Sequence, residues 1–319
     1  MTPAPIALTF GEPAGVGPEI TLKAWQEIGA DVPFVLLGDY AYLAGIADIQ
    51  VRKISTAADW STDALCVLDR PFAPITPGVA TPANAAHVID TIRDAVHLTQ
   101  SGDCSAVVTN PINKKALKDG AGFAFPGHTE FLADLTGAAL PVMMLASPDL
   151  RVVPVTIHVP IADVPRLLTA DLLEQTIRIT AHDLTKRFGI AMPRIAVAGL
   201  NPHAGEGGTM GTEDISVIKP VIAKLKSEGF AIFGPLPADT MFHARARETY
   251  DVAICMYHDQ ALIPIKTLDF DRGVNVTLGL PIIRTSPDHG TAFDIAGKGI
   301  ANPSSLIAAL RLAHEMANR

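Results

Sequence analysis

The sequence predicts an α/β fold in which helices cover a parallel sheet. Short apolar runs typical of buried strands, such as residues 6–10 and 252–256, alternate with longer segments of helical periodicity, such as residues 84–100. This alternation is the pattern of parallel α/β sheets. With 319 residues, 48% hydrophobic and 18% charged, the chain can bury a large core, and its length favours two domains over one.

Composition and charge exclude several classes of partner. The net charge of −8 and the absence of any basic run argue against nucleic acid and against an anionic membrane surface. No stretch approaches the roughly 18 apolar residues of a membrane span, and the first residues do not resemble a secretory signal. The three cysteines are unclustered and lie in apolar runs, which favours buried free thiols in a reducing cytoplasm. We therefore expect a cytoplasmic protein.

The first third of the chain predicts strands that alternate with helices. After the strand at 6–10, several glycines and Pro18 start a helix that extends to about residue 29. The glycine spacing in residues 11–20 matches neither the fingerprint G-x-G-x-x-G nor a P-loop. This turn is therefore either a phosphate-binding turn or a structural loop. Further strands are predicted at residues 32–38, 64–69 and 105–109.

A helix N-terminus suited to an anion opens the second third. Thr129 is expected to cap a helix whose first turn contains Glu130, with His128 directly before it. An ordinary cap is the alternative interpretation. The elements predicted next are a strand at 151–158, a helix at 170–188 and a strand at 194–200.

Three histidines each follow a separate strand-like run: His158, His203 and His258. Ligands of open α/β sheets bind at the carboxyl ends of strands. If these strands belong to one parallel sheet, or to that of a partner across a dimer, the imidazoles converge as in catalytic zinc-type sites. The spacing is not a local motif, and a surface or hydrogen-bonded histidine is the alternative for each. Asp259 is expected to steer the His258 imidazole; binding the metal through water or merely ending the strand are alternatives.

The last third contains further candidate side chains. Lys266 and Arg284 follow apolar runs, and basic residues at strand ends suit a phosphate or a carboxylate. A rim salt bridge is the alternative for each. Asp239 lies in a turn-rich loop, where it either caps a helix or serves as a carboxylate that orients a metal ligand or takes part in catalysis.

Residues 286–303, SPDHGTAFDIAGKGIANP, resemble the adenine-binding loop of the isocitrate and isopropylmalate dehydrogenases. That resemblance implies two α/β/α domains with a cleft between them and a nicotinamide cofactor bound without the Rossmann fingerprint. Residues 1–130 together with 272–319 would form the cofactor-side domain, and residues 131–271 the domain for metal, substrate and dimerisation. The implied cofactor contacts are His289, Gly290, Thr291, Ala292 and Asp294. Asp294 favours NAD over NADP because a carboxylate repels a 2′-phosphate.

More specifically, the chain resembles the 4-hydroxythreonine-4-phosphate dehydrogenase family of vitamin B6 biosynthesis. The resemblance rests on six blocks that span nearly the full length in the family's order: residues 11–20, 125–133, 201–208, 234–242, 257–268 and 273–299. It implies that His158, His203 and His258 bind one divalent ion, zinc, magnesium or cobalt, in a site shared across a homodimer. It places the substrate contacts at His128, Thr129, Lys266, Asn275 and Arg284.

The implied reaction is the metal-dependent oxidation of 4-phosphooxy-L-threonine by NAD or NADP to 2-amino-3-oxo-4-phosphooxybutanoate, which decarboxylates to 3-amino-2-oxopropyl phosphate. A bound divalent ion suits this chemistry as a Lewis acid. Lys266 and Asp239 are the predicted proton-transfer residues. One alternative is a paralogous dehydrogenase that acts on 4-phosphothreonate, phosphoerythronate or a dihydrodiol. The other is a metal-dependent regulator that binds phosphorylated metabolites without turning them over.

Overall fold

The computed structural model describes residues 4–319 and divides the chain into two compact units. The first unit comprises Met1–Pro141 and Leu280–Arg319, and the second comprises Val142–Gly279. The units therefore meet after residues 141 and 279, whereas the domain boundaries predicted from the sequence fall after residues 130 and 271. The helix that contains His128 packs within the first unit, and the strand that contains Asn275 pairs within the second.

Strands and helices alternate along most of the described chain. The strands are β1 Ile6–Thr9, β2 Phe34–Gly38, β3 Val51–Ile54, β4 Leu65–Asp69, β5 Val107–Thr109, β6 Val142–Ala146, β7 Arg151–Thr156, β8 Ile195–Ala198, β9 Ile232–Leu236, β10 Val252–Tyr257, β11 Val274–Leu278 and β12 Arg284–Pro287. The α-helices are α1 Gly17–Ile28, α2 Tyr40–Ile46, α3 Ala85–Ser101, α4 Lys114–Ala121, α5 His128–Thr136, α6 Val164–Leu167, α7 Ala170–Phe188, α8 Lys219–Ser227, α9 Ala244–Arg247, α10 His258–Leu268 and α11 Ser304–Ala317. The α/β class predicted from the sequence is confirmed.

In the first unit the strands run parallel in the order β3-β4-β2-β1-β5-β12. Strands β1, β2 and β5 are buried throughout, as their continuous apolar runs predicted. Strand β3 was not predicted. Its sequence, VRKI, is only partly buried at the sheet edge and contains two basic residues, so it lacks an apolar run.

In the second unit the order is β11-β6-β7-β10-β8-β9. Strands β7, β10, β8 and β9 run parallel, whereas β6 is antiparallel to both β7 and β11. This differs from the predicted parallel sheet. A tight turn causes the reversal: the Ser147 N–H donates to the Leu150 carbonyl at 2.9 Å, and so short a connection can join only antiparallel strands.

The helix predicted at residues 170–188 is α7. The Thr169 side chain accepts a hydrogen bond from the Leu172 N–H, and Gly189 ends the helix in the left-handed conformation. The predicted cap of α5 is wrong. Gly127 occupies the N-cap position, so Thr129 lies inside the first turn.

Two predictions from composition agree with the structure. Cys66, Cys104 and Cys255 are free and buried. Within residues 4–319, the helices are too short or too polar to cross a membrane.

Two helical glycines provide a matched stability test. A β-carbon on Gly120 would lie 2.0 Å from the Pro82 carbonyl oxygen and 2.7 Å from the Ala85 β-carbon, whereas one on Gly45 would meet no atom within 4 Å. Gly120→Ala should lower the free energy of unfolding by about 1–3 kcal/mol through overpacking. Gly45→Ala should raise it by about 0.5–1 kcal/mol because alanine loses less backbone entropy in a helix. Urea unfolding measures both changes, and equal effects of the two substitutions would contradict the packing at Gly120.

Candidate active site

Parallel neighbours β7, β10 and β8 bring their carboxyl ends to one edge of the sheet in the second unit. His158 lies just beyond β7, and His258 is the first residue of α10, directly after β10. Their ring centroids are 5.6 Å apart, with an interplanar angle of 41°. The fold thus brings two of the three predicted metal ligands together.

His203 follows β8 but does not complete this pair within one chain. Its side chain is 63% exposed, and its Nδ1 lies 3.6 Å from the Glu206 carboxylate. Throughout residues 4–319, no three His, Cys, Asp or Glu side chains are grouped so that they could hold a metal ion. A single copy therefore supplies a two-histidine cluster, with His203 on a nearby strand's loop.

Unusual backbone conformations hold both loop histidines. His158 has φ 50° and His203 has φ 53°, in the left-handed region that non-glycine residues rarely occupy. Positive φ continues from His203 to Gly208 within the turn Pro202–Gly208. Such outliers persist only where surrounding contacts fix them, and they cluster at functional sites.

The Asp214 carboxylate fixes the start of the His203 loop. Asp214 is fully buried, and its oxygens accept hydrogen bonds from the Leu200 N–H at 3.0 Å and the Asn201 N–H at 3.2 Å. A β-carbon on Gly199 would lie 2.7 Å from Asp214 Oδ1, so the close approach requires glycine. Sequence reasoning missed Asp214.

Buried Gln260 links the ends of β10 and β8. Its Oε1 accepts from the Met256 N–H at 2.6 Å, and its Nε2 donates to the Gly199 carbonyl at 2.8 Å. The Thr156 hydroxyl donates to the Met256 carbonyl at 2.8 Å and joins β7 to β10 in the same way. Sequence reasoning also missed Gln260. The available signal was an amide directly before an apolar stretch of the chain, because a buried amide needs hydrogen-bond partners.

Asp259 orients the His258 ring. Its Oδ1 lies 2.7 Å from His258 Nδ1. A carboxylate only accepts hydrogen bonds, so this contact favours the tautomer with a proton on Nδ1 and a lone pair on Nε2. Among the roles predicted for Asp259, this geometry favours steering of the imidazole.

Two adjacent pockets share His258 and Asp259. One, of about 210 Å³, is also lined by His158 and Tyr257, and the other, of about 400 Å³, is also lined by Lys266. The sequence placed Lys266 at a strand end, which is wrong, because it lies in the last turn of α10. Lys266 follows His258 by about two helical turns, so the two side chains lie on the same side of α10. One pocket is lined by both residues.

The other two predicted residues of this unit lie on separate elements. Asn275 is in β11, and its Oδ1 is buried with no hydrogen-bond partner among the described residues. A buried acceptor of this kind is suited to a donor on a ligand. Asp239 lies in the single turn Ala238–Thr240, is exposed, and does not cap a helix.

A second cluster, in the first unit, combines His128 and Arg284. Arg284 is the first residue of β12 and is almost fully buried; one of its Nη atoms donates to the Thr109 hydroxyl at 2.7 Å. His128 Nε2 is buried and has no hydrogen-bond partner among residues 4–319. The Lys114 ammonium lies beside Gly127 at the N-terminus of α5. Sequence reasoning did not single out Lys114, since nothing local distinguishes it from Lys115.

Charge in this cluster favours an anion. Burial, together with the positive charges of Arg284 and Lys114, holds the pKa of His128 well below its ordinary value of 6.5. Burial also lowers the pKa of Arg284 to about 10, against the opposing effect of Glu130. At neutral pH the cluster therefore contains a neutral imidazole and a charged guanidinium, which suit a phosphate or carboxylate.

The predicted cofactor residues occupy an irregular segment of the first unit. His289, Gly290 and Asp294 are exposed. Ala292 has φ 45°, and the Thr291 carbonyl accepts a hydrogen bond from the Val16 N–H at 3.0 Å. The segment thus presents side chains to solvent while α1 and the turn before it support its backbone.

Comparisons with known proteins match the whole chain. The family model described as "Pyridoxal phosphate biosynthetic protein PdxA" matches residues 30–313. The 4-hydroxythreonine-4-phosphate dehydrogenase of Ruegeria sp. (strain TM1040) is 60% identical over 321 residues, which cover 99% of this chain and 98% of that protein. The protein of the same name from Caulobacter vibrioides is 53% identical and covers 100% of this chain and 99% of its own.

Solved structures agree. The 4-hydroxythreonine-4-phosphate dehydrogenase of Klebsiella pneumoniae superposes with a TM-score of 0.93 at 38% identity, covering 100% of this chain and 99% of that one. A terephthalate 1,2-cis-dihydrodiol dehydrogenase of Burkholderia xenovorans superposes with a TM-score of 0.68 at 30% identity, covering 98% of each chain. These full-length relatives are dehydrogenases, and the chain is an oxidoreductase.

The chain belongs to the pyridoxal phosphate biosynthetic protein PdxA family. The resemblance inferred from six sequence blocks is thereby confirmed.

The neutral state of His128 predicts a pH dependence of stability. Because its pKa in the folded state lies below the ordinary 6.5, the unfolded chain binds a proton first as the pH falls. The contribution of neutral His128 to the free energy of unfolding is therefore fully present above about pH 6.5. It is lost as the pH falls from there through the folded-state pKa. Urea unfolding between pH 7.5 and 5 should show a larger loss for wild type than for His128→Gln. The same substitution at exposed His97 is the control; an unchanged slope for His128→Gln would contradict the assignment.

Proposed function

We propose that this protein catalyses the metal-dependent, NAD(P)-linked oxidation of 4-phosphooxy-L-threonine to 2-amino-3-oxo-4-phosphooxybutanoate, which decarboxylates to 3-amino-2-oxopropyl phosphate in vitamin B6 biosynthesis. The observation that carries the proposal is the full-length similarity to relatives named for the dehydrogenation of 4-hydroxythreonine 4-phosphate. The two clusters of polar residues provide physical support.

The proposed metal ligands are His158, His203 and His258. The donor set fits a divalent ion, because His158 and His258 adjoin and Asp259 orients the latter's Nε2 as a lone-pair donor. When bound, such an ion would act as a Lewis acid toward the substrate's hydroxyl oxygen and the negative charge that decarboxylation leaves. Since one chain does not group all three histidines, we propose that a homodimer completes the site.

Exposed apolar side chains support the dimer. Ile263 in the middle of α10, Leu268 at its end and Phe270 just beyond it are 63%, 41% and 75% exposed. Large apolar side chains exposed together are typical of an interaction surface. They lie on or next to the helix that begins at His258, so a second copy seated here would approach the histidine pair.

The proposed substrate contacts are His128, Thr129, Lys266, Asn275 and Arg284. Arg284 offers a buried fork of N–H donors, and the neutral His128 can donate without adding charge. Both are suited to the oxygens of a phosphate or carboxylate. Lys114 adds a positive charge at the N-terminus of α5, and we include it among the groups that attract the anion.

Proton transfer is assigned to Lys266 and Asp239. A bound nicotinamide would accept the hydride that leaves C3, and a base of this chain would have to accept the hydroxyl proton released in the same oxidation. Lys266 lines the same pocket as His258 and is therefore the first candidate to accept it. Asp239, which is exposed in the turn Ala238–Thr240, is the second candidate to accept this proton. It is also a candidate to deliver the proton that replaces CO₂ on the substrate carbon after decarboxylation.

The proposed cofactor contacts are His289, Gly290, Thr291, Ala292 and Asp294. An exposed irregular segment with a carboxylate fits an adenosine whose ribose hydroxyls donate hydrogen bonds. Asp294 would repel a 2′-phosphate, and we therefore favour NAD over NADP. We also propose a cytoplasmic location, in keeping with three buried free thiols.

A paralogous activity is the second candidate. The likeness to a terephthalate dihydrodiol dehydrogenase favours it, because an anion cluster that suits a phosphate also suits a carboxylate. 4-Phosphothreonate would differ from 4-phosphooxy-L-threonine only in the group next to the oxidised carbon, a hydroxyl in place of the amino group. A dihydrodiol would differ more, because it is cyclic and has no phosphate, and the terephthalate compound would present a carboxylate instead.

Turnover of matched substrates tests the proposal. NAD⁺ reduction should be fastest with 4-phosphooxy-L-threonine, slower with 4-phosphothreonate and a cis-dihydrodiol, and abolished by EDTA until zinc, magnesium or cobalt is restored.

His203→Ala should abolish metal-dependent turnover while far-UV circular dichroism stays unchanged. Faster turnover of another substrate would favour the paralogous activity, and binding without turnover of any substrate would favour a regulator. Turnover that survives both chelation and His203→Ala would refute the metal assignment.

Steering of His258 by Asp259 predicts a loss of metal affinity. Asp259→Asn should weaken binding of Zn²⁺ or Co²⁺ by about 10–100-fold, because the amide no longer selects the tautomer with a free Nε2. Isothermal titration calorimetry on the metal-free protein measures the change. Exposed Asp271, changed to Asn, is the matched control. Equal affinities for the two variants would show that Asp259 does not steer the ring.

A further inference from the structure

Residues 291–301 depend on another part of the chain for their conformation. They contain no strand or helix, only turns in which the Ile295 N–H donates to the Ala292 carbonyl and the Lys298 N–H to the Ile295 carbonyl. Ile300 is 66% exposed. A segment with so few internal contacts is not rigid by itself, because few buried apolar contacts oppose its backbone entropy.

A pair of charged side chains on α1 holds one end of this segment. The Glu19 carboxylate accepts from the Ala301 N–H at 2.7 Å and from the Gly299 N–H at 3.2 Å. The Lys23 ammonium donates to the Ala301 carbonyl at 2.7 Å and to the Gly299 carbonyl at 3.0 Å. The two side chains also bind each other at 3.0 Å. One ion pair thus satisfies the donors and acceptors of two residues that have no secondary-structure partners.

The turn before α1 holds the other end. The Val16 N–H donates to the Thr291 carbonyl at 3.0 Å. A β-carbon on Gly15 would lie 2.8 Å from the same carbonyl oxygen and 3.1 Å from the Thr291 β-carbon. Residue 15 must therefore be glycine for the two backbones to approach this closely.

We infer that Glu19 and Lys23, together with Gly15, are positioning residues for the nicotinamide cofactor. They hold residues 291–301 in the conformation that presents Asp294 and its neighbours. The inference rests on the proposed function, since it takes these neighbours to contact the cofactor. For the glycine-rich turn of residues 11–20, it favours the interpretation as a structural loop over that as a phosphate-binding turn.

Pre-organisation is the physical basis of this role. A segment already held at both ends loses less conformational entropy when a ligand binds, so the ligand binds more tightly. Releasing one end should weaken NAD⁺ binding without changing the residues that contact the other substrate. The expected signature is a raised dissociation constant for NAD⁺ and a raised KM for NAD⁺, with kcat and the KM for the phosphorylated substrate unchanged.

The test compares Lys23→Met and Glu19→Gln with wild type. Without cofactor, hydrogen exchange followed by mass spectrometry should show faster exchange of the amides of Gly299 and Ala301 in both variants. NAD⁺ titration should show binding weakened by about tenfold, the effect of one lost charged hydrogen bond. Lys224→Met is the matched control, because Lys224 forms an ion pair with Glu174 at 2.8 Å in the other unit.

A charge swap separates positioning from simple helix stabilisation. Glu19→Lys combined with Lys23→Glu keeps an oppositely charged pair one helical turn apart, but its groups match the wrong backbone atoms. Restored NAD⁺ affinity in this variant would overturn the inference. Lys23→Arg, which keeps several N–H donors, should recover most of the affinity.

The outcomes are distinguishable from failure of the proposed function. If wild type neither binds nor reduces NAD⁺ or NADP⁺, the proposed function and the inference fail together. If wild type binds NAD⁺ and the Lys23 and Glu19 variants bind it equally well, only the positioning role is refuted, whether or not exchange at Gly299 and Ala301 is faster. Gly15→Ala offers a second variant at the other end, and it should also raise the dissociation constant for NAD⁺.

Discussion

The candidate metal site depends on hydrogen bonds that tie together the carboxyl ends of three parallel strands. Gln260 joins β10 to β8, and Thr156 joins β7 to β10. Because the amide and hydroxyl that make these bonds are buried, losing either would leave unsatisfied backbone groups at the strand ends. The bonds therefore fix where His158 and His258 emerge. The positions of the two histidines therefore depend on hydrogen bonds between the strand ends.

Burial has a different consequence in the first unit. There it keeps His128 neutral while Arg284 remains charged, so two neighbouring basic groups coexist without both ionising. A neutral donor beside one cation can bind a phosphate or carboxylate at a lower cost of burial than two cations would, because only one buried charge then needs a partner. The two units thus differ in the chemistry we propose for them. One would offer imidazole ligands and a lysine, and the other would offer donors for an anion and a supported segment for the cofactor.

Local signals worked where one element alone determines the outcome. The helix of residues 170–188 was predicted to the residue, since its apolar periodicity and its glycine stop are both encoded in sequence. The same reasoning failed at β3, a partly buried edge strand without an apolar run, and at Thr129, because the helix begins two residues earlier with Gly127 as its cap. Asp214 escaped notice because its partners lie in a loop preceding it by more than ten residues.

By itself, the sequence determined the α/β class, most strand ends and the three histidines that follow them, because hydrophobic periodicity and chain order are local properties. It also determined the family, through six blocks in a fixed order. Only the tertiary structure decided which strands are neighbours, and hence that His158 and His258 adjoin while His203 stays apart within one chain. It also revealed that Glu19 and Lys23 hold a segment far away in sequence. Hydrogen bonds between distant residues leave no periodic trace in the chain, so they become visible only after folding.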